Sequence, residues 1–273
     1  RDLGGTGPTC SGVDQPRRDD LGVELEIPHG DGATSIEDWR RENVNLLVSE
    51  MHERIRAEKP WVRFGVSPFG IWRNSSSDPE GSDTTGSESY EIICADSLRW
   101  VREGWVDYIN PQIYWEFGNP AADYETLVNW WAQKVADTDV GLYVGEAAYK
   151  AIEGVFTEVG ELGDHLDLTE TLPEIDGNVF FSAKSLRTDT TGAVDDLIAR
   201  HYTHPAIVPV LDQVPGDAPP APTVLVVRST DEGVQVRWRG HGATSYALWH
   251  LPTSEVREED LAEEFGVSRT PVR

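Results

Sequence analysis

Apolar runs alternate with amphipathic stretches between residues 60 and 205, and this alternation predicts the fold class. Short runs rich in Val, Ile, Tyr and Phe are followed by segments with helical periodicity. The predicted strands are 62–70, 106–115, 141–149 and 178–186, and the predicted helices between and after them lie near 89–103, 121–137 and 191–202. Such alternation is typical of a parallel sheet with helices packed outside it. The segment 151–175 has no clear pattern.

One further helix is predicted ahead of the first strand. It begins at Thr34 or Ser35, because each has an acidic residue three positions later, which is the spacing of a capping box. Apolar residues then recur at steps of three and four, which predicts one buried stripe formed by Val44, Leu47, Val48, Met51 and Ile55. Pro60 ends the helix, since proline cannot continue it.

The two ends of the chain differ in composition from this central part. Residues 1–34 are rich in Gly, Asp, Arg and Pro and are predicted to be irregular. A Pro/Ala-rich linker, 211–222, separates the domain at 35–210 from a β module at 223–273. Only three alternating strands precede the acidic tail of that module. A fibronectin type III sandwich has about seven strands, so we expect a partial β-sandwich related to it.

The charge of the chain excludes some partners. The formal net charge is −25, and a polyanion is repelled by nucleic acid and by anionic membrane surfaces. No window holds the roughly 18 apolar residues that a membrane span needs. We therefore expect no nucleic acid partner and no membrane span.

The cysteines and histidines predict neither a metal site nor a cofactor. No CxxC or HExxH spacing occurs. The two cysteines, Cys10 and Cys94, could form one disulfide, but Cys94 lies on the predicted helix 89–103 beside Ile93. It is interpreted as a buried free thiol.

Several motifs, in order along the chain, resemble the bacterial glycosyl hydrolase-like family 10. The similar segments are DWRRENVN (38–45), GVSPFGIWRN (65–74), SDPEGSDTTG-x-x-SY (77–90), ADSLRWVREGWVDYINPQIYW (95–115), NPAADY (119–124) and FFSAKSLR (180–187). The resemblance runs from about residue 35 to 210. It implies a (β/α)8 TIM barrel, an extracellular or cell-envelope location, and hydrolysis of glycosidic bonds in a bacterial polysaccharide, with peptidoglycan glycan strands as the best candidate.

We expect only the second half of such a barrel in these residues. The four predicted strands correspond to strands 5–8, and the acidic FDDYF-type motif that the family carries after strand 4 has no match in residues 1–35. Asp19 and Asp20 are followed by Leu-Gly, with no aromatic residue. A half-barrel leaves sheet edges unpaired and an apolar face uncovered. Self-association or a complementing N-terminal half is therefore expected.

Polar and aromatic residues stand at the ends of the predicted strands, where parallel barrels place their active sites. Sugar sites combine aromatic platforms with planar hydrogen-bonding side chains. The candidate substrate-binding residues are Trp72, Arg73, Asn74, Asn110, Gln112, Tyr114, Trp115, Tyr149 and Lys184. The alternative interpretation is that Asn110 and Gln112 are internally satisfied amides and that Trp72 packs under the loop 74–88.

Glycoside hydrolysis requires two carboxyl groups beside the scissile bond. Glu146, near the end of the predicted strand 141–149, and Glu116, just past 106–115, are the candidate catalytic residues. The alternative for Glu146 is a strand-end glutamate that pairs with an arginine or faces solvent. Two functions stay open: a glycoside hydrolase, or a truncated homologue that binds carbohydrate without cleaving it. The missing acidic motif distinguishes them.

Overall fold

A computed structural model of the chain describes residues 35–203, 220–231 and 233–240. The chain divides into two units between Ala206 and Ile207. The predictions for residues 1–34, for most of the linker, and for the third strand and acidic tail of the β module lie outside the described residues.

The first unit is a mixed α/β structure with a four-stranded parallel sheet, as the sequence predicts. The four strands pair in the order in which they follow one another along the chain. The helices are α1 Ile36–Glu58, α2 Ser89–Ile92, α3 Ser97–Arg102, α4 Tyr124–Val135, α5 Ala148–Ile152, α6 Glu161–Thr169, α7 Ala183–Arg187 and α8 Ala193–His201, and the strands are β1 Gly65–Val66, β2 Tyr108–Ile109, β3 Gly141–Glu146 and β4 Ile175–Phe180.

The strands are shorter than predicted, and two predicted strands are partly wrong. The end of the predicted strand 141–149 is wrong, since β3 ends at Glu146 and Tyr149 lies on α5. Pro68 and Pro111 follow β1 and β2, and because proline has no N–H the ladder is interrupted there. It continues only as isolated bridges that join Gln112 to Phe69 and to Gly145. The second half of the predicted strand 178–186 is wrong, since β4 ends at Phe180 and residues 183–187 form α7. Lys184 therefore lies on an exposed helix and not in a strand.

Two helical predictions also need correction. The predicted helix 89–103 is broken into α2 and α3 at Cys94, whose φ of 56° lies in the left-handed region and cannot continue a helix. Cys94 is disulfide-bonded, so its interpretation as a free thiol is wrong. The patternless segment 151–175 contains α6, nine residues long.

Helix α1 begins as predicted but buries a different face. Ser35 is the N-cap, and its side chain accepts a hydrogen bond from the Asp38 N–H at 3.1 Å. The predicted apolar stripe is wrong for Leu47, which is 59% exposed, and for Met51, which is 41% exposed, whereas Val48 is buried as predicted. The buried residues are Arg41, Asn45, Val48 and His52. Polar residues occupy that face because α2 and α3 offer partners to them, as when Trp100 Nε1 donates to Asn45 Oδ1 at 2.8 Å.

The core lies between the sheet and helices α3 and α4. Trp131 of α4 is fully buried, and its Nε1 donates to the Gly70 carbonyl at 2.8 Å. Along β3, Leu142, Val144 and Glu146 are all 0% exposed. Side chains alternate between the faces of a strand, and the two apolar residues belong to the core cluster with α4. Glu146 therefore shares the helix-facing side of the sheet with them.

The second unit is described only in part, as an antiparallel hairpin of β5 Thr223–Thr230 and β6 Gly233–Arg239. These are the first two strands predicted for the β module. The fibronectin type III-like sandwich stays a prediction, because its other elements lie outside the described residues.

The disulfide leads to a chemical prediction. After denaturation without reductant, the peptide that contains Cys94 is expected to resist iodoacetamide, and it is expected to become alkylated fully after reduction, because a disulfide has no thiolate to react. Peptide mass spectrometry measures both states. Alkylation of Cys94 before reduction would contradict the bond.

Candidate functional site

Three aromatic side chains stand side by side at the carboxyl ends of the strands and form what we call the aromatic row: Tyr114, Tyr149 and Phe181. The Tyr114 and Tyr149 ring centroids are 6.1 Å apart, and those of Tyr149 and Phe181 are 6.3 Å apart, both edge to face. Phe181 is 59% exposed, and the two tyrosines are partly exposed. The row is therefore a set of neighbouring aromatic rings that are each at least partly exposed.

Polar groups border the aromatic row. Gln112 is partly exposed and donates from Nε2 to the Ser67 carbonyl at 3.0 Å. Lys150 Nζ donates to the Tyr114 carbonyl at 2.6 Å. Burial lowers the pKa of Lys150, and the charge of the partly exposed Glu116 opposes that shift. The border therefore offers an amide, an ammonium group and a carboxyl group.

The tyrosines of the row keep their hydroxyl protons at neutral pH. Burial raises the pKa of Tyr114 above its ordinary value, and the nearby Tyr149 and Glu146 add to the effect. Burial likewise raises the pKa of Tyr149, with Glu153 adding to it. Both phenols can thus donate as well as accept hydrogen bonds.

Three of the predicted binding residues turn inward and hold the loop that follows β1. Trp72 is buried, donates from Nε1 to Asp96 Oδ1 at 2.9 Å and stacks on Trp130. Arg73 forms salt bridges with Asp78 at 2.7 Å and Glu91 at 2.8 Å. Asn74 is buried too, since its Nδ2 donates to the Gly86 carbonyl at 2.9 Å and its Oδ1 accepts from Thr84 at 2.7 Å.

The remaining predicted residues divide between the row and its surroundings. Asn110 is buried and donates from Nδ2 to the Tyr143 carbonyl at 2.8 Å, which matches the internally satisfied amide. Trp115 packs against the core, close over Gly70. Lys184 lies on α7. The structure thus brings Tyr114 and Tyr149 into ring contact, and Gln112 lies two residues before Tyr114, bridged to Gly145 of β3.

Glu146 lies at the centre of a buried cluster that we call the carboxylate network: Tyr124, Glu146, Glu161 and His165. The Tyr124 hydroxyl and Asn178 Nδ2 donate to Glu146 Oε1 at 2.6 Å and 2.9 Å. His165 Nδ1 lies 2.9 Å from Glu146 Oε2, and His165 Nε2 lies 3.2 Å from Glu161 Oε1. Both oxygens of Glu146 are therefore occupied by side chains of the protein.

The ionisable groups of the carboxylate network shift one another's pKa values. Burial alone would lower the pKa of His165, but the charge of Glu146 and the hydrogen bonds that the ring donates to both carboxylates raise it to about 9. Burial tends to raise the pKa of Glu161, yet its hydrogen bonds from His165 and the Phe117 N–H leave that pKa below the ordinary value. Burial, followed by the charge of Glu146, raises the pKa of Tyr124 well above the ordinary value.

The family of the chain follows from comparison with known sequences. The family model described as glycosyl hydrolase-like 10 matches residues 18–158, just over half of the chain. The chain belongs to glycosyl hydrolase-like family 10. The resemblance stated from its motifs is thereby confirmed.

Two curated relatives show how much of a family 10-like protein is present. The chain is 39% identical to Glycosyl hydrolase YngK of Bacillus subtilis (strain 168) over 215 residues, which are 77% of this chain and 42% of the relative. It is 44% identical to Glycosyl hydrolase DigH of Escherichia coli (strain K12) over 181 residues, which are 63% of this chain and 41% of the relative. The chain thus spans about two fifths of the length of these relatives.

Sequence reasoning missed several residues of this family 10-like site. Phe181 belongs to a quoted motif, but the sequence placed it inside the predicted strand 178–186, whereas β4 ends one residue before it. Glu161 and His165 are four residues apart, the spacing that places two side chains on one face of a helix. Nothing in the sequence pairs that helix with Glu146.

In residues 35–203 and the hairpin, no helix has the length and apolar character to cross a membrane.

Proposed function

We propose that this family 10-like chain takes part in the hydrolysis of glycosidic bonds in a bacterial polysaccharide, with peptidoglycan glycan strands as the substrate class. The observation that carries the proposal is the aromatic row at the carboxyl edge of a parallel sheet. The active sites and ligand-binding sites of α/β proteins commonly lie at that edge of the sheet. The family supplies the reaction class.

The aromatic row suits a glycan chain for physical reasons. Sugar rings present flat faces of C–H groups, which aromatic rings cover, and a fringe of hydroxyl groups, which need hydrogen-bonding partners. Gln112, Lys150 and the two phenols supply donors and acceptors around the row. The spacing of about 6 Å between neighbouring ring centroids lets one extended ligand touch more than one ring.

We propose that the sheet is half of a (β/α)8 barrel and that a complementing N-terminal half, or self-association, completes the site. The order β1-β2-β3-β4 with parallel pairing is the order that such a half has. Of the two candidate carboxyls, Glu116 is partly exposed beside the row, whereas Glu146 is enclosed. The second candidate function, carbohydrate binding without cleavage, is favoured by that enclosure.

We further propose an extracellular or cell-envelope location. Disulfides form and persist in oxidising compartments and are rare in the cytosol. The bond at Cys94 supports this location.

Replacing Tyr149 with alanine tests the carbohydrate site. Affinity for peptide-free glycan strands, measured by isothermal titration calorimetry, is expected to fall about tenfold, since an aromatic contact is worth about 1–1.5 kcal/mol. Trp61→Ala is the matched control, because Trp61 is 62% exposed and precedes β1, at the opposite end of that strand. Equal affinities for the wild-type protein and Tyr149→Ala would remove the row from the site. An assay of hydrolysis, in which the release of reducing ends from the same strands is measured, distinguishes cleavage from binding alone.

A further inference from the structure

Every polar atom of the His165 ring faces an acidic partner. Nδ1 lies 2.9 Å from Glu146 and Nε2 lies 3.2 Å from Glu161. The ring is 0% exposed and lies flat on Tyr124, with centroids 3.5 Å apart and an angle of 4° between the planes. A carboxylate only accepts hydrogen bonds, so a ring that donates at both nitrogens to two carboxylates carries a positive charge.

The carboxylate network is joined to both chain segments that carry the tyrosines of the aromatic row. Glu161 Oε1 accepts the backbone N–H of Phe117 at 2.7 Å, three residues past Tyr114. The Phe117 ring packs edge-on against His165, with centroids 5.1 Å apart. Glu146 ends β3, three residues before Tyr149. A single buried ring thus lies between the two segments.

We propose that His165 is a positioning residue: held as an imidazolium between Glu146 and Glu161, it fixes segment 114–117 against the end of β3 and so sets the spacing of the aromatic row. Only the effect on ligand binding rests on the proposed function. In this role Glu146 acts through His165 and not on the substrate. We call His165 with its two carboxylate partners and the Phe117 N–H the strut. Its groups come from β3, α6 and the segment after β2.

The charge on His165 makes the strut sensitive to alkaline pH. The titratable groups that face it or its partners are Glu146 of β3, Glu161 of α6, Tyr124 of α4, and Tyr114 and Tyr202, which lie within reach of the Glu146 charge. The pKa of His165 is raised from 6.5 to about 9 in the folded protein. A group whose pKa is raised by folding contributes its full stabilisation at pH values below its pKa in the unfolded chain. The contribution is therefore complete below pH 6.5 and is lost as the pH rises through about 9.

The first test uses the wild-type protein without any ligand. At pH 7, NMR is expected to find both ring nitrogens of His165 protonated, with a titration midpoint near pH 9. The His165→Gln variant assigns the resonance. A neutral His165 ring at pH 7 would overturn the proposal.

The second test measures the segment that His165 holds. In His165→Gln at pH 7, amide hydrogen exchange in residues 114–118 is expected to accelerate about tenfold or more, because a buried hydrogen-bond network is broken. His201→Gln is the matched control. His201 also contacts two carboxylates, Asp167 and Glu170, but it joins α8 to the end of α6 and not to the row. Unchanged exchange in His165→Gln would also overturn the proposal.

Ligand binding supplies a third readout and separates this proposal from the proposed function. Wild-type affinity for peptide-free glycan strands is expected to fall as the pH rises through about 9. His165→Gln is expected to bind weakly and to lack that alkaline change. Absence of wild-type binding at every pH contradicts the glycan substrate, while the NMR and exchange results still decide the role of His165.

If His165→Gln does not fold, Glu161→Gln replaces it. Its amide oxygen can still accept the Phe117 N–H, but the charge opposite His165 is gone. The His165 midpoint is then expected to fall toward 6.5, the ordinary value for histidine. An unchanged titration midpoint of His165 would contradict the proposed role of His165 between the two carboxylates.

Discussion

The Glu146→Gln variant is expected to lose about 3–5 kcal/mol of unfolding free energy, the usual cost of removing one partner of a buried ion pair. The two oxygens of Glu146 receive three donors, from Tyr124, Asn178 and His165. Glutamine has only one acceptor oxygen, and its NH₂ group must face at least one of these donors. Urea unfolding at pH 7, monitored by circular dichroism, measures the loss of unfolding free energy.

The same variant distinguishes a structural role of Glu146 from a catalytic one. A glutamate that acts only on substrate would give a Gln variant of wild-type stability that cannot cleave glycan strands. A glutamate that acts within the carboxylate network gives a destabilised variant. Glu116→Gln is the matched comparison, because Glu116 is partly exposed and has no such enclosure. Its stability is expected to change by less than about 0.5 kcal/mol.

Trp131→Ala is expected to be the most damaging single substitution in the core, with a loss of about 3–5 kcal/mol. The side chain is 0% exposed, packs between α4 and the sheet, and donates to the Gly70 carbonyl. Alanine would leave both a cavity and a buried carbonyl without its partner. Thermal and urea unfolding measure the change.

Two control variants divide that loss into its causes. Trp131→Phe keeps a six-membered aromatic ring but removes the pyrrole ring with its N–H donor, so it is expected to cost less, about 1–3 kcal/mol. Trp61→Ala removes a tryptophan that is 62% exposed, and its effect is expected to stay within about 0.5 kcal/mol. A Trp131→Ala variant as stable as Trp61→Ala would contradict the placement of the core.

Prediction from the sequence succeeded where local periodicity and packing agree. The four apolar runs became parallel strands in sequential order, and the 121–137 segment became α4 with both tryptophans buried. It failed on α1, where Leu47 and Met51 obey the helical period but the helix buries Arg41 and Asn45. An apolar pattern cannot show that Tyr90 and Trp100, distant along the chain, offer these polar side chains hydrogen bonds or ring contacts.

The candidate site shows the same division. Tyr114 and Tyr149 were found because strand ends of a parallel sheet share one edge, a rule that needs no coordinates. Trp72 and Asn74 also follow a strand, but the 74–88 loop takes the hydrogen-bonding groups of Asn74, and Asp96 takes the N–H of Trp72. Which strand-end residues stay open depends on the path of that loop, and its path is set by contacts between residues distant from the strand.

The sequence by itself determined the family, the alternation of strands and helices, and the edge at which the aromatic row lies, because these depend on motifs and on periodicity along the chain. The tertiary structure alone decided the position of Glu146. Its place in the β3 alternation turns it toward the helices, and α4 and α6 bring Tyr124 and His165 to it. A carboxylate in a buried setting requires such partners, and they come from separate helices that only the folded chain brings together.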